Sequence, residues 1–298
     1  MSQQNLMPSA RFVRVQNLQQ PFKMTQQYDL HCHSYYSDGA LSPADLVSRA
    51  HEFGVSHLAL TDHDSIAGLA EAREAIAAQN SPLKLISGTE ITCRWQQFEV
   101  HLVALNFDEQ APSMVELLGA QQQRRRDRYQ AMVAKLHNAG IDVQPPLAQA
   151  MTMPTRKHLA DALVEGGWVS SFETAFRRYL GKGQQAYIAT EWVSLADAAA
   201  SVTAAGGVSV IAHPHAYQLS NKWLRRLLHE AKAVDVDGVE VAIGTQAPGQ
   251  REALATFAEE IGLFASVGSD FHYPGRWREL GKNLCLPERC VPIWTKWS

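Results

Sequence analysis

The chain has 298 residues, a formal net charge of -3 and 46% apolar and aromatic residues, enough to bury the core of one large or two smaller domains. With 27 basic residues against 30 acidic ones, it carries no overall positive field for duplex nucleic acid, so any such contact must be local. Four scattered cysteines argue against a disulfide scaffold, and no apolar run is long enough to span a membrane. Together these features predict a cytoplasmic protein.

The chain begins with a polar stretch and then changes to an α/β pattern. We expect residues 1–23 to be a disordered extension, with Met24 as a candidate start of translation. From Tyr28 onward, short apolar strands alternate with amphipathic helices, which is typical of a parallel α/β architecture. Seven or so strand–helix units predict a barrel. We expect strands at 28–30, 57–60, 83–86, 100–105, 207–212, 238–242 and 263–267, and helices near 43–53, 66–78 and 222–234.

One long segment breaks this alternation. Residues 109–192 are rich in helix-forming sequence and include the Gln-Arg stretch 121–128 and the basic turn 177–182. We therefore predict a helical insertion, or cap, subdomain over 109–192. Residues 24–108 and 193–298 are expected to form the barrel.

Histidines and carboxylates recur where the predicted strands end. His31 and His33 follow the first strand at positions i and i+2, so both imidazoles point to the same face. Asp38 comes five residues later, beside a glycine. Corresponding positions after or within later strands hold His63, Glu90, His101, His213, Asp270 and His272. A single residue of this kind is more often a cap or a core residue. Chance would scatter nine such residues over helices and both barrel ends, so their position at successive strands indicates a shared site.

This set of side chains predicts a metal centre. Six histidines and three carboxylates exceed what one four- to six-coordinate ion can use, which indicates two or three ions sharing a bridging carboxylate. Since no thiolate is required, manganese, iron and zinc all remain possible. Closely spaced ions acidify a water and clamp both oxygens of a phosphoryl displacement, so we predict hydrolysis of a phosphate ester. Asp64, beside His63, could orient a ligand imidazole.

The motifs HxH with Asp38, TDHD, Gly-Thr-Glu, AHP and GSDFH, in this order, resemble those of the PHP (polymerase and histidinol phosphatase) superfamily. The resemblance covers about residues 28–285 and implies a distorted seven-stranded, TIM-like β/α barrel with a trinuclear centre. By motif, it implies one ion among His31, His33, Glu90 and Asp270, a second among Glu90, His101 and His213, and a third among Asp38, His63 and His272.

A closer similarity is to the branch of bacterial 3',5'-nucleotide bisphosphate phosphatases and the 5'-to-3' exoribonuclease RNase AM. The stretches 121–128, 155–158 and 176–183 carry it, besides the metal motifs. The resemblance implies release of the 3'-phosphate from adenosine 3',5'-bisphosphate (pAp) and removal of 5' nucleotides from short RNA or ribosomal RNA ends. It implies two or three divalent ions, with Mn²⁺ as first choice.

A 5'-phosphate held away from the ions needs a cationic partner of its own. Arg156 is the first candidate, because a guanidinium binds phosphate through two hydrogen bonds. Second candidates are His158, Arg177, Arg178 and Lys182, and Arg276 is a weaker one. All of these residues could instead belong to solvated helix faces.

Two other functions remain open. A small-molecule phosphatase of the histidinol-phosphate type is disfavoured, because the basic insertion suits a substrate with two phosphates or an RNA end. A noncatalytic PHP module that stabilises a polymerase or binds RNA predicts binding without turnover, and the complete set of ligand residues argues against it. We infer no membrane and no obligate protein partner, and the native metal, the physiological substrate and the oligomeric state stay open.

Overall fold

A computed structural model describes residues 26–143, 152–275 and 278–297. The predictions for residues 1–23 and for Arg276 lie outside this part of the chain. Within it, eight strands are formed: β1 Tyr28–Asp29, β2 His57–Leu60, β3 Lys84–Trp95, β4 Phe98–Leu105, β5 Val193–Ser194, β6 Val208–Ile211, β7 Gly238–Ile243 and β8 Phe264–Gly268. Eight α-helices accompany them: α1 Pro43–Glu52, α2 Gly68–Ala78, α3 Pro112–Asn138, α4 Arg156–Glu165, α5 Phe172–Ala175, α6 Leu195–Ala204, α7 Asn221–Ala233 and α8 Pro248–Ile261.

Seven of these strands form a nearly closed barrel, as predicted. Their order is β1-β2-β3-β4-β6-β7-β8, and the short β5 pairs with β3 outside this ring. The ring closes between its first and last strands, because Leu30 N donates to Val267 O at 3.1 Å and His33 N donates to Phe271 O at 2.9 Å. The carboxyl ends of β1 and β8 therefore lie side by side.

One strand departs from the parallel direction that is typical of an α/β architecture. β4 runs antiparallel to both β3 and β6. Only Gln96 and Gln97 connect β3 to β4, and a two-residue turn reverses the chain, whereas a parallel pair needs a long crossover. β3 is also longer than the predicted 83–86, so Glu90 lies within a strand rather than at its end.

The helices that surround the barrel begin at sequence-encoded caps. Ser42, Ser194 and Ser220 precede α1, α6 and α7, and each side-chain oxygen accepts a hydrogen bond from a backbone N–H of the first turn. The helices bury apolar faces against the outside of the barrel. A separate cluster contains residues from all seven strands of the ring and fills the barrel interior; its members include Ala59, Ile86, Val103, Val210, Ala242 and Val267.

Helix α3 packs against two different cores. Near its start, Met114 and Leu117 belong to the large cluster around the barrel. Near its end, Met132 and Leu136 join a smaller cluster with residues of α4 and of the segment that follows. This smaller cluster lies within the predicted cap, whose boundaries stay a prediction. No helix among the described residues is long and apolar enough to cross a membrane.

Candidate metal centre

All nine predicted ligands converge at one end of the barrel. Their donor atoms form four overlapping groups, and within each group the atoms lie within 4.8 Å of one another. The groups are His33, Asp38, His63 and His272; His31, His33 and Asp270; His31, Glu90 and His213; and His63, Glu90 and His101. The groups overlap at Glu90, which contacts both His101 and His213, so the three ligand sets that the resemblance implied stay a prediction.

Glu90 lies at the middle of this cluster. Its Oε1 is 2.8 Å from His101 Nδ1 and 2.7 Å from His213 Nε2, and its Oε2 is 2.9 Å from His63 Nδ1. Burial alone would raise the pKa of Glu90, but the surrounding imidazoles, first His101 and His63, hold it well below its usual range. A buried, ionised carboxylate with both oxygens facing imidazoles is suited to bridge two cations.

Asp38 lies at the other side of the cluster. Its Oδ1 is 3.3 Å from His272 Nε2, and its Oδ2 is 3.6 Å from His63 Nε2. The loop that contains Asp38 folds back tightly at the next residue, Gly39, where a Cβ atom would lie only 2.1 Å from the carbonyl oxygen of His33. Glycine at this position therefore allows a residue five positions after His33 to return to the same site.

The residues present fit divalent cations. Four buried side-chain atoms of the cluster have no hydrogen-bond partner: Asp38 Oδ1, Glu90 Oε2, His63 Nδ1 and His213 Nδ1. Buried polar atoms in folded proteins are almost always satisfied, so carboxylate oxygens and imidazole nitrogens that face each other without a hydrogen bond fit a set of metal ligands. Burial and the nearby His272 lower the pKa of His33 to about 3, which keeps its ring in the neutral form that binds metals.

The sequence analysis missed Glu240, which supports two of the histidines. Glu240 lies in the buried strand β7, with its Oε1 2.7 Å from His31 Nδ1, and its Oε2 accepts from the backbone N–H of His213 at 2.5 Å. A Cβ atom on Gly268 would lie 2.4 Å from His31 Cβ and 2.7 Å from Glu240 Oε1, so this contact requires glycine there. The sequence signal that could have identified Glu240 is a charged residue inside the apolar run GVEVAI, since charged residues are rarely buried without a partner.

Two of the predicted ligand residues have backbone conformations that residues other than glycine rarely adopt. His213 has φ of +25° and Asp270 has φ of +53°. Such residues cluster at functional sites, where the surrounding structure holds them in place.

The role predicted for Asp64 was wrong. Its Oδ2 accepts from Arg125 Nη2 at 2.6 Å, and its Oδ1 accepts from Thr92 N at 2.9 Å. A fully buried carboxylate requires an opposite charge, and α3 supplies one with Arg125. Asp64 therefore attaches α3 to the barrel rather than orienting a ligand imidazole.

A cavity of about 630 Å³ opens directly over the cluster. Four predicted ligands line it, Asp38, His63, His101 and His272, together with cationic and aromatic side chains of the cap and of the loop after β8. The cationic group comprises Arg125, Arg128, Arg156 and Lys157. Three carboxylates, Glu99, Asp161 and Glu173, line the cavity beside these cations, so the cavity connects the metal cluster with a wall of mixed charge that contains several guanidinium groups.

Arg128 is the second residue of the site that the sequence analysis did not single out. Its side chain is 8% exposed, and its Nη1 lies 3.3 Å from Glu99 Oε2. Its Nε and Nη2 are buried without a hydrogen-bond partner. The predicted Arg156 contacts the same carboxylate, with Nη2 2.8 Å from Glu99 Oε1. Two guanidinium groups with donors to spare form a suitable phosphate site.

The other predicted substrate contacts lie elsewhere. His158 Nδ1 accepts from the backbone N–H of Thr155 at 3.0 Å and so caps α4. Arg177 and Arg178 are exposed on the π-helical turn after α5, and exposed Lys182 lies near Gln97, its Nζ 3.5 Å from that carbonyl oxygen. None of these four residues is among the described residues that line the cavity.

The family model of the PHP domain matches residues 29–181. A 5'-3' exoribonuclease of Haemophilus influenzae is 46% identical over 275 residues, covering 92% of this chain and all of that protein. The chain belongs to the PHP domain family. A 3',5'-nucleoside bisphosphate phosphatase of Chromobacterium violaceum is 39% identical, covering 89% of this chain and 94% of that protein.

Solved structures of the same fold are also similar. A structure from Chromobacterium violaceum, described as an amidohydrolase with bound sulfate and no metal, superposes with a TM-score of 0.82 at 36% identity and covers 91% of this chain and 95% of its own. A candidate metal-dependent phosphoesterase of Bifidobacterium adolescentis superposes with a TM-score of 0.76 at 32% identity, covering 91% and 98%. The predicted family and fold are thereby confirmed.

Proposed function

We propose that this protein is a metal-dependent phosphoesterase that releases the 3'-phosphate of nucleoside 3',5'-bisphosphates such as pAp and removes 5' nucleotides from RNA. The observation that carries the proposal is the cavity of about 630 Å³ that opens over four residues of the metal cluster and is also lined by Arg128 and Arg156. Such a cavity suits a substrate with two phosphates, one over the cluster and one beside the cations. The names of the exoribonuclease and phosphatase relatives support the same substrates.

The nine residues hold two or three divalent ions, with Mn²⁺ as first choice and Fe²⁺ or Zn²⁺ as alternatives. Their nitrogen and oxygen donors suit all three metals. When bound, such ions lower the pKa of an attacking water and neutralise charge on the phosphate oxygens.

The chain's own side chains orient the substrate and the ligands. Arg128 and Arg156, which both line the cavity, bind the 5'-phosphate. Glu240 fixes the ring of His31 and the backbone of His213. With one phosphate held by the cations, the 3'-linked phosphate is positioned over Asp38, Glu90 and Asp270. The described cap residues that line the cavity, among them Phe172 and Phe176, cover this substrate and limit access of water.

One arrangement serves both reactions, because the same bond breaks in each. In pAp and in RNA, the bond cleaved joins the 3' oxygen of the first nucleotide to phosphorus. The two substrates differ only in what else is attached to that phosphorus. The cytoplasmic location stays a prediction from the sequence.

The test is an assay with metal-stripped protein to which Mn²⁺ is added. We expect phosphate and AMP from pAp, and 5' mononucleotides from a 5'-phosphorylated RNA oligomer. Asp38→Asn is the matched control, and we expect it to lower turnover at least about 100-fold because it removes a ligand charge while keeping the side chain's shape. Hydrolysis of neither substrate by protein with bound metal would refute the proposal. Faster hydrolysis of histidinol phosphate would favour the small-molecule alternative, and tight RNA binding without turnover would favour the noncatalytic one.

A further inference from the structure

The wall of the cavity includes an exposed aromatic ring that lies outside the predicted cap. Tyr273 follows His272 directly and lines the cavity. At 59% exposure, it is the most exposed of the large apolar side chains among the described residues. Arg278 lines the same part of the cavity, and its Nη1 donates to Asp270 Oδ2 at 2.6 Å.

The cap cations and Tyr273 adjoin different parts of the cluster. Glu99, which holds Arg128 and Arg156, lies two residues before His101 on β4. His101 groups with His63 and Glu90, whereas His272 groups with His33, Asp38 and His63. The cap cations Arg128 and Arg156 are thus held through Glu99 near His101, whereas Tyr273 belongs to the loop after β8 and follows directly after His272.

This arrangement distinguishes the two proposed substrates. A nucleoside 3',5'-bisphosphate reaches from the cations to the cluster and ends there, at its 3'-phosphate. In RNA, the same phosphate is also joined to the 5' oxygen of a second nucleoside. That second nucleoside needs a part of the cavity that the bisphosphate does not use, and Tyr273 and Arg278 are lining residues outside the predicted cap.

We infer that Tyr273 is a stacking platform for the nucleoside that follows the scissile phosphate of RNA. This inference rests on the proposed function and concerns which substrate the site prefers. Stacking on an aromatic ring accepts every base, because each base has a π-face, and this suits an enzyme that shortens RNA one nucleotide at a time. Arg278 adds positive charge beside the ring for the continuing phosphate chain.

The test compares Tyr273→Ala, Tyr273→Phe and wild type on pAp and on a 5'-phosphorylated RNA oligomer. Loss of one stacked base predicts that Tyr273→Ala lowers the ratio of kcat/KM for RNA to kcat/KM for pAp about tenfold. Tyr273→Phe keeps the ring and is expected to restore the wild-type ratio. Trp168→Ala, which removes an exposed aromatic side chain outside the cavity, is the control and is expected to leave the ratio as in wild type.

The outcomes separate this inference from the proposed function. A wild-type ratio in Tyr273→Ala, or equal losses on both substrates, would overturn the role of Tyr273 while leaving the phosphoesterase in place. Wild-type protein that hydrolyses pAp but not RNA would overturn it as well. Wild-type protein that hydrolyses neither substrate would instead refute the proposed function itself.

Discussion

Glu240 shows how one buried carboxylate can position two metal-binding residues. It accepts from the backbone N–H of His213 through one oxygen and contacts the ring of His31 through the other. Fixing the outer nitrogen of an imidazole sets the tautomer and the direction of the nitrogen that binds the cation. The two contacts therefore orient parts of the site that lie on different strands.

We predict that Glu240→Gln weakens Mn²⁺ binding about 10–100-fold. A glutamine side chain has a single acceptor oxygen, so it cannot serve both His31 and His213. Calorimetric titration of metal-stripped protein would measure the change. Glu230→Gln, an exposed carboxylate that accepts from Trp95, is the control. Equal Mn²⁺ affinity in Glu240→Gln and wild type would contradict a positioning role.

Arg128 is expected to recognise the 5'-phosphate. Its side chain lines the cavity over the metal cluster, its Nε and Nη2 have no hydrogen-bond partner, and charge-assisted hydrogen bonds are the strong ones. We predict that Arg128→Met raises KM for pAp about 10–100-fold, with a smaller effect on adenosine 3'-phosphate, which lacks the 5'-phosphate. Steady-state kinetics on the two substrates would measure this difference, with Arg124→Met, outside the cavity lining, as control. The prediction fails if both substrates lose equally.

The strand β4 and the cap are held together at Glu99. Its carboxylate contacts Arg156 of α4 and Arg128 of α3, and it accepts from Trp192 Nε1 at 2.9 Å. Burial alone would raise the pKa of Glu99, but Arg156 and Arg128 outweigh burial and lower it to about 2. Because the folded-state pKa is below the ordinary value, this contact stabilises the protein above about pH 4.5 and is lost as the pH falls toward 2.

We therefore predict that Glu99→Gln lowers the free energy of unfolding by about 2 kcal/mol at pH 7, since it leaves two arginines without their carboxylate. The difference from wild type should shrink as the pH falls from 4.5 to 2. Urea unfolding at pH 7 and pH 3 would measure it. Glu260→Gln, which removes an exposed partner of Arg225, is the control. A difference that stays constant with pH would show that the charge of Glu99 is not the cause.

Sequence patterns predicted the parallel elements better than the reversed one. The strand β2 matches its predicted range. Helices α1 and α7 begin within one residue of their predicted starts, and each follows a serine cap. The direction of β4 could not be predicted, because its apolar alternation is the same whichever way the strand runs. The turn that reverses it, Gln96-Gln97, contains no glycine, asparagine or aspartate to mark a hairpin.

For the whole molecule, the metal cluster is expected to couple metal binding to stability. Ions that bind only the folded chain stabilise it by about 2.7 kcal/mol at 100 times their Kd. We predict that the midpoint of thermal unfolding rises by several degrees as Mn²⁺ is added to metal-stripped protein. Differential scanning calorimetry would measure it, and an unchanged midpoint up to saturating Mn²⁺ would contradict the assignment of the nine residues.

The affinity of the cluster for Mn²⁺ is expected to depend on pH. Burial works against the charged form of His272, but Asp38 and Asp270 outweigh it and raise its pKa to about 9. A cation must displace that proton, so Mn²⁺ affinity should rise with pH up to about 9. Mn²⁺ titrations at pH 6, 7 and 8 would test this, and affinity that falls over the range would contradict it.

The nine candidate ligands could be named from the sequence because each lies in a short motif next to a recognisable strand, and parallel strands bring their carboxyl ends to one edge. Glu240 could not, because its partner His31 is 209 residues away in the chain and meets it only when the barrel closes. Arg128 and Tyr273 look like surface residues in the sequence. Their roles depend on how the cap and the loop after β8 are placed around the cavity, which is decided by packing between distant segments rather than by local pattern.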